Sequence, residues 1–399
     1  MTQIDPLEYR VLLRSDFVSF MERAFYELNP SARLQWAPYI EVMAATLERC
    51  RRGEIRRLII NVPPRYLKSH CTSVAFVAWL LGQSPSAQVI CASYGQDLAD
   101  NLALDTRNVV QSAWYQSLFP GMRLMPERTA VSDFLMTVGG GRMATSVGGV
   151  LTGRGANWIV IDDPLKPEDA LSEARRAAVN DWFDSTLLSR LNDKMNGCIV
   201  IVMQRLHQDD LVGHVLGQDD WTVLSFPAIA QEDEHHVIQG PLGRFEYSRQ
   251  AGEALHPQRE TLSMLRATSD RIGDYNFSSQ YQQEPIPRGG AIVKYEWLLY
   301  DDSPPEADEV RHVLQSWDTA TKTGSTNDYS VCTTWVITSD PLTREHRYHL
   351  VHVLRARLNY PDLKRAVVKQ AEQFKPDAIL IEDKGSGSSL IQDLQREGQ

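Results

Sequence analysis

The run Arg57-Leu-Ile-Ile-Asn-Val62 constrains this chain more than any other stretch. It is short and almost wholly apolar, so the strand it predicts is buried on both faces, as strands of parallel sheets are. Pro63 and Pro64 stop it, and a helix is predicted from about Lys68 to Leu81. The pattern then recurs. Residues 87–92 predict a second such strand, followed by a helix from Gln96 to Gln111. Residues 157–161 predict a third, ending in Asp162-Asp163-Pro164 and followed by helical sequence from Pro167 to Arg190. Gly197 to Met203 is a further strand, and Phe134 to Val147, broken by Gly139-Gly140-Gly141, predicts a β-hairpin. Strands alternating with helices imply an α/β fold, a mostly parallel sheet with helices on both sides. Ahead of it, residues 1–50 predict a helical N-terminal segment, with apolar residues at helical spacing from Val11 to Phe25 and from Tyr39 to Leu47.

From Gln282 the composition changes. The stretch Gln282-Gln-Glu-Pro-Ile-Pro-Arg-Gly-Gly290 predicts a linker, placed at residues 284–291. Strands are then expected from Val313 to Asp318, from Tyr329 to Ile337 and from Arg347 to Leu354. A helix from Asp362 to Phe374, a strand from Ala378 to Glu382 and a helix from Ser388 to Arg396 follow. Three strands, a helix, a strand and a helix form the front of a ribonuclease-H-like fold. The sequence ends before that fold's next strand and helix, so an incomplete domain is expected at 292–399.

At 399 residues, two or three domains are expected. Acidic residues outnumber basic ones, 51 to 41, which excludes a small module that holds nucleic acid by bulk charge. Any such contact needs a local basic patch. Arg49, Arg51, Arg52, Arg56, Arg57, Arg65 and Lys68 crowd one region; this is either a DNA- or subunit-facing surface or a solvated helix end. Cys50, Cys71, Cys91, Cys198 and Cys332 form no C-x-x-C pair, which argues for small core residues in a reducing compartment. No signal segment opens the chain, and the apolar run Val74 to Leu81 falls far short of the ~20 residues that span a bilayer. A soluble, cytoplasmic protein is expected. His235-His236 is expected in a solvated loop.

A strand, a tight loop, Lys68-Ser69 and a helix make the geometry of a phosphate cradle. Amides at a helix N-terminus point at an anion, and the helix dipole adds to the attraction. The lysine reaches the outer phosphates and the serine hydroxyl binds Mg²⁺. Val62 and Leu67 stand where G-x-x-x-x-G-K-S carries its glycines. On this loop alone, an ordinary β-to-α turn with an exposed lysine stays open. The strand ending in Asp162-Asp163 delivers two carboxylates to the end of the sheet where ligands bind. Asp162 suits Mg²⁺ binding, and Asp163 suits orienting or activating a water. A helix-capping turn is the alternative for the pair. The strand ending at Met203 runs into Gln204-Arg-Leu-His-Gln-Asp-Asp210, where a polar residue at the tip is placed to sense a γ-phosphate. Otherwise His207 and Asp209 cap the next helix.

A second constellation lies in the C-terminal pattern. Asp318 ends its first strand and Glu382 its fourth, and these strands are neighbours in a ribonuclease-H-like sheet. Converging acids there bind a pair of Mg²⁺ or Mn²⁺ ions, which hold the attacking water and the leaving 3′-oxygen of a phosphodiester. Strand alternation points Glu382 and Asp383 to opposite faces, which leaves the choice between them open. Asp328 either assists a metal or serves the turn before the second strand.

Together these motifs resemble the phage terminase large subunit, the motor of viral DNA packaging. The likeness rests on Arg57-Leu-Ile-Ile-Asn-Val-Pro-Pro-Arg65 with Lys68-Ser69, on Ala92-Ser-Tyr94, Leu151-Thr-Gly-Arg-Gly155, Ile161-Asp-Asp-Pro164 and Gln204-Arg-Leu-His207 with Asp209-Asp210, in family order. The resemblance implies a P-loop ATPase domain of the ASCE type at 51–283 and a ribonuclease-H-like nuclease domain after it. It implies a Walker A motif at Arg65, Lys68 and Ser69, a Walker B acid at Asp162, a catalytic carboxylate at Asp163 and a coupling motif around Gln204. Many members keep a glycine before the lysine and a glutamate after the Walker B aspartate, where this chain has Leu67 and Asp163. Arg154 is either an arginine finger, serving its own or a neighbouring subunit, or a surface-turn arginine.

The cofactors implied are ATP with Mg²⁺, and two Mg²⁺ or Mn²⁺ ions on Asp318, Glu382 and Asp328. The implied function is ATP-driven translocation of double-stranded viral DNA into a procapsid, with metal-dependent endonuclease cleavage of the concatemer. The implied partners are duplex DNA gripped without sequence preference, a portal protein, a small terminase subunit and further copies in a ring on the portal, in the bacterial host cytoplasm. The family's third nuclease acid lies well downstream of the second, so weak or absent cleavage is expected of this chain. Two rivals stand beside this: a helicase-like ATPase fused to a nuclease fold, and an inactive prophage remnant acting as an assembly module.

Overall fold

The computed structural model describes residues 5–151, 153–286, 299, 305–306, 308–319, 330–339, 345–356, 358–382 and 386–396. Asp328, Asp383 and most of the expected linker lie outside them. The chain divides into two units, Met1–Lys294 and Tyr295–Gln399.

In the first unit the apolar runs become the centre of an eight-stranded sheet. Its strands are β1 (Arg57–Asn61), β2 (Gln88–Ser93), β3 (Leu124–Thr129), β4 (Asp133–Met136), β5 (Gly141–Ser146), β6 (Trp158–Asp162), β7 (Cys198–Met203) and β8 (Thr222–Ser225). They lie in the order β3-β4-β5-β2-β6-β7-β1-β8. From β5 to β8 all neighbours are parallel, while β4 and β3 continue one edge antiparallel. Every residue of β6 and β7 is buried, which is why these runs carry no polar alternation.

Alternate side chains of each strand feed two cores. Leu58, Ile60, Cys91, Val160 and Val202 face one layer of helices: α1 (Pro6–Ser15), α2 (Phe17–Leu28), α3 (Pro38–Arg51), α4 (Val77–Gln83), α5 (Gln96–Gln111) and α6 (Ala113–Leu118). Ile59, Ile90, Ile161 and Ile201 face the other, with α7 (Glu173–Trp182) and α8 (Leu211–Leu216). The N-terminal helices share the first of these cores with the sheet. Phe17 and Phe20 are buried there, and Asp16 caps α2 by accepting the Ser19 N–H at 2.8 Å. The helix after β1 begins as a π-helix, His70–Phe76, before continuing as α4. Such segments are frequent at functional sites.

Beyond the sheet, β9 (Glu234–Gly240) and β10 (Gly243–Arg249) form an antiparallel hairpin. This corrects the expectation of a loop at His235-His236: both lie on β9, and His236 stacks on Tyr247 with ring centroids 5.9 Å apart. Then come α9 (Leu262–Ile272), α10 (Asp274–Asn276) and a π-helical turn, Phe277–Tyr281. All five cysteines are free and buried. Among the described residues, no helix is long and apolar enough to cross a membrane.

The second unit contains β11 (Val310–Asp318), β12 (Ser330–Ser339), β13 (His346–Ala356), α11 (Tyr360–Phe374), β14 (Ala378–Ile381) and α12 (Ser386–Arg396). Its sheet runs β13-β12-β11-β14, antiparallel except for the parallel β11–β14 pair. Trp317 and Cys332 of the sheet pack with Leu363 and Val367 of α11 and Leu390 and Leu394 of α12. That is the expected front of a ribonuclease-H-like domain. Gly387 lets the first turn of α12 lie against the end of β14: a Cβ there would come within 2.1 Å of the Glu382 carbonyl oxygen. Gly387→Ala is therefore expected to destabilise this unit by about 1–3 kcal/mol, the usual cost of overpacking, read as a lower denaturant midpoint. An unchanged midpoint would show that the helix start has room to move.

Candidate functional site

The loop from Pro63 to Leu67 reaches its shape without glycine. Arg65 and Leu67 adopt φ of 70° and 59°, the left-handed region, and Asp163 adopts 45°. Each costs a side-chain-bearing residue on the order of 1–2 kcal/mol. Two anchors hold the loop there. Buried Tyr66 donates its hydroxyl to Glu260 Oε2 at 2.7 Å, and its carbonyl accepts the Tyr39 hydroxyl at 3.2 Å. Strain concentrated at one place and fixed by its surroundings is characteristic of functional sites.

The loop and two strand ends meet. Because β7 lies between β1 and β6, the Lys68 loop faces both aspartates across the tip of β7. Lys68 Nζ, almost fully buried, stands 3.1 Å from Asp163 Oδ2. Asp163 Oδ1 accepts the Gln204 N–H at 3.3 Å. Asp162 Oδ1 accepts the Ser69 hydroxyl at 3.0 Å, and its Oδ2 accepts the Ser73 hydroxyl at 2.5 Å. Ser73 was not singled out in the sequence. The available signal was its spacing, one helical turn beyond Ser69. Oxygen donors from Ser69 and Asp162 fit a hard cation such as Mg²⁺.

Asp162 is fully enclosed. Burial first and the Asp163 charge second push its carboxyl up to about 6, against Lys68 and the two serine hydroxyls. The folded protein therefore holds this proton more tightly than the unfolded chain does. In metal-free protein, stability contributed here is present at low pH and lost as pH rises from the ordinary 3.8 through about 6. Asp162→Asn removes the titration. In urea melts with EDTA, the variant's stability relative to wild type is expected to rise by up to about 3 kcal/mol between pH 4 and 7. A flat difference across that range would contradict the burial argument.

The remaining sequence candidates fall as follows. Arg65 is exposed on the loop itself. Gln204 is buried at the tip of β7, and its Oε1 has no hydrogen-bond partner among the described residues. Arg154 is not brought to the cluster. It precedes β6, whose five residues separate it from Asp162's end, and its guanidinium pairs with Asp133. The same-subunit arginine finger is thus not supported by this geometry, because Arg154 lies at the entry of the strand whose exit carries the acids. The basic cluster also divides. Arg49 and Arg52 pair with Glu54, Arg51 with Glu48, and Arg57 donates to the Gly197 carbonyl at the start of β1, whereas Arg65 and Lys68 follow its end. Neither His207 nor Asp209 caps α8; Asp210 does, accepting the Gly213 N–H at 3.1 Å.

In the second unit, Asp318 closes β11 and Glu382 follows β14. Trp317 and Ile381 are register partners, and the Glu382 N–H donates to the Trp317 carbonyl, so the two acids leave neighbouring strands side by side. Both are exposed, and oxygen donors of this kind fit Mg²⁺ or Mn²⁺. Asp328, the third candidate, lies outside the described residues.

Residues 315–399 match the family model of the terminase RNaseH-like domain. That match supports the resemblance seen in the motifs. No curated protein matches the chain. Among solved structures, the chain is similar to the large terminase of bacteriophage HK97, at 11% identity and a TM-score of 0.42, over 96% of this chain and 82% of that one. It is also similar to the large terminase of a thermophilic bacteriophage, at 9% identity and a TM-score of 0.40, over 92% and 81% of the two chains. The complex of that thermophilic phage's protein with ATP-gamma-S matches at 11% identity and a TM-score of 0.37, over 91% and 80%.

Proposed function

We propose, starting from a chain whose C-terminal unit carries a terminase RNaseH-like domain, that the whole is the large subunit of a phage DNA-packaging motor. Its first unit hydrolyses ATP to drive duplex DNA into a procapsid, and its second unit supplies the metal-dependent nuclease site. One observation carries the ATPase assignment: Lys68, Ser69, Ser73, Asp162, Asp163 and the Gln204 amide converge at the exit of adjacent parallel strands.

Each group then has a task. The Lys68 ammonium moves from Asp163 to the phosphates, whose charge outbids one carboxylate. Asp163 is released to orient and deprotonate the attacking water, and the Gln204 amide steadies it. Ser69 and Asp162 hold Mg²⁺, which neutralises charge on the phosphates when bound. In the second unit, Asp318 and Glu382 hold the divalent ions of the nuclease. Duplex DNA, a portal protein, a small terminase subunit and neighbouring copies in a ring are the partners this function requires, in the cytoplasm of a bacterial host. Arg154 has an arginine-finger role only toward a neighbouring copy.

The test is ATP hydrolysis by the full chain with Mg²⁺, with and without linear duplex DNA of unrelated sequences. Hydrolysis is expected to rise with any duplex and to lose that rise at high salt, because backbone charge is what a motor grips. No hydrolysis under any condition would favour the inactive assembly module. Strand separation of the duplex would favour the helicase-like ATPase.

A further inference from the structure

Gln283 is buried just beyond the π-helical turn Phe277–Tyr281, with its backbone at φ 59°. Five non-glycine residues among those described have a left-handed φ. Arg65, Leu67 and Asp163 belong to the candidate ATP site, and Lys375 ends α11 as an ordinary left-handed cap. Gln283 is the fifth, and its side chain bonds to the backbone next to that site. Its Oε1 accepts the Arg205 N–H at 3.0 Å, while its Nε2 donates to the Gln280 carbonyl at 2.6 Å. The preceding amide, that of Gln204, is the one on Asp163 Oδ1. Two consecutive amides at the tip of β7 are thus divided between Asp163 and Gln283.

The surrounding contacts tie the same stretch of chain to both halves of the site. Tyr275 donates its hydroxyl to the Leu206 carbonyl at 3.3 Å, and Glu260 accepts the Tyr66 hydroxyl from the phosphate loop. The neighbouring Gln282 pairs instead with both backbone groups of Ile229, away from the β7 tip. The Arg205 side chain is itself locked on Asp210. Among the described residues, Gln283 is therefore the one whose side chain is bonded to the Arg205 amide, beside Gln204.

We propose that Gln283 is a positioning residue for ATP hydrolysis. Through the Arg205 amide it holds the tip of β7 so that the Gln204 amide stays on the carboxylate of Asp163, which handles the water. This deepens the ATPase assignment and rests on it. The left-handed backbone is the local cost of aiming the side chain at that amide.

The test uses the full chain with duplex DNA and compares wild type with Gln283→Met and Gln283→Gly. Met keeps the length of the side chain without the acceptor. Gly also lacks the acceptor but adopts φ 59° freely, so it remains a valid probe where Met fails to fold. For both, kcat is expected to fall about tenfold, the worth of one well-placed hydrogen bond. The KM for ATP and the Kd for Mg²⁺-ATP-gamma-S are expected to stay within about twofold of wild type, because the phosphate loop is untouched. Wild-type kcat in either variant overturns the proposal. So does a fall in kcat matched by equally weakened nucleotide binding, which is the signature of a collapsed site. An inert wild type would instead remove the ATPase assignment itself, and the two failures are thereby distinguished.

Discussion

Lys68→Ala will lower ATP hydrolysis by on the order of 10²–10³-fold, the loss seen when one preorganised donor to developing charge is removed. The ammonium is nearly buried and stands 3.1 Å from Asp163. No other basic side chain makes an ion pair with Asp163 among the described residues, so nothing nearby substitutes for it. A second effect compounds the first. Lys68 is one of the groups holding the Asp162 carboxyl down against burial and the Asp163 charge. Its removal pushes that carboxyl higher still and weakens the metal position as well as the phosphate position. The fold should survive, because Asp163 is about one-fifth exposed and water can solvate it once the lysine is gone. Steady-state hydrolysis and a melting curve on the same preparation decide the matter. Activity within about tenfold of wild type, in a folded variant, would mean that the loop after β1 is not a phosphate cradle.

Asp210→Ala carries the largest expected cost to stability, about 3–5 kcal/mol, the usual result of breaking a buried charge pair. Asp210 is fully buried. Its two oxygens accept Arg205 Nε at 3.1 and 3.0 Å, the Leu206 and His207 amides at 3.0 and 3.3 Å, and the Gly213 amide at 3.1 Å. Alanine leaves a guanidinium and three amides without their acceptor in a place water scarcely enters. The melting temperature should fall by on the order of 10 °C. The same loop forms the tip of β7, so kcat should fall with it. A shift under about 2 °C would show that the loop has another support. Asp210→Asn, which keeps an acceptor but not the charge, should lie between the two.

Strands β1, β2, β6 and β7 were legible because burial on both faces leaves a local trace, a near-continuous apolar run, whereas the largely exposed edge strands β3 and β8 left none. Asp162 and Asp163 were legible because they close such a run, and Lys68-Ser69 because they follow one and open the next helix. Other parts of the site left no local trace. Tyr66 and its partner Glu260 are 194 positions apart, and Arg205 and Gln283 are 78 apart. No spacing rule joins residues so distant in sequence. His235 and His236 misled because acidic neighbours suggested a loop, whereas pairing with β10 and stacking on Tyr247 make them a strand. Leu67 marked a departure from the expected glycine, but its left-handed backbone is sustained by the burial of Tyr66 beside it.

The sequence by itself determined that this chain makes a parallel-sheet unit with a lysine-serine loop and paired acids, followed by the front of a ribonuclease-H-like domain. It could do so because hydrophobic period and strand-end chemistry are properties of a few neighbouring residues. The tertiary structure alone decided which groups meet: Lys68 with Asp163, Ser69 and Ser73 with Asp162, and Arg154 with none of them. Those pairings depend on strand order. With β7 set between β1 and β6, the arrangement of the sheet sets the distance between the charges.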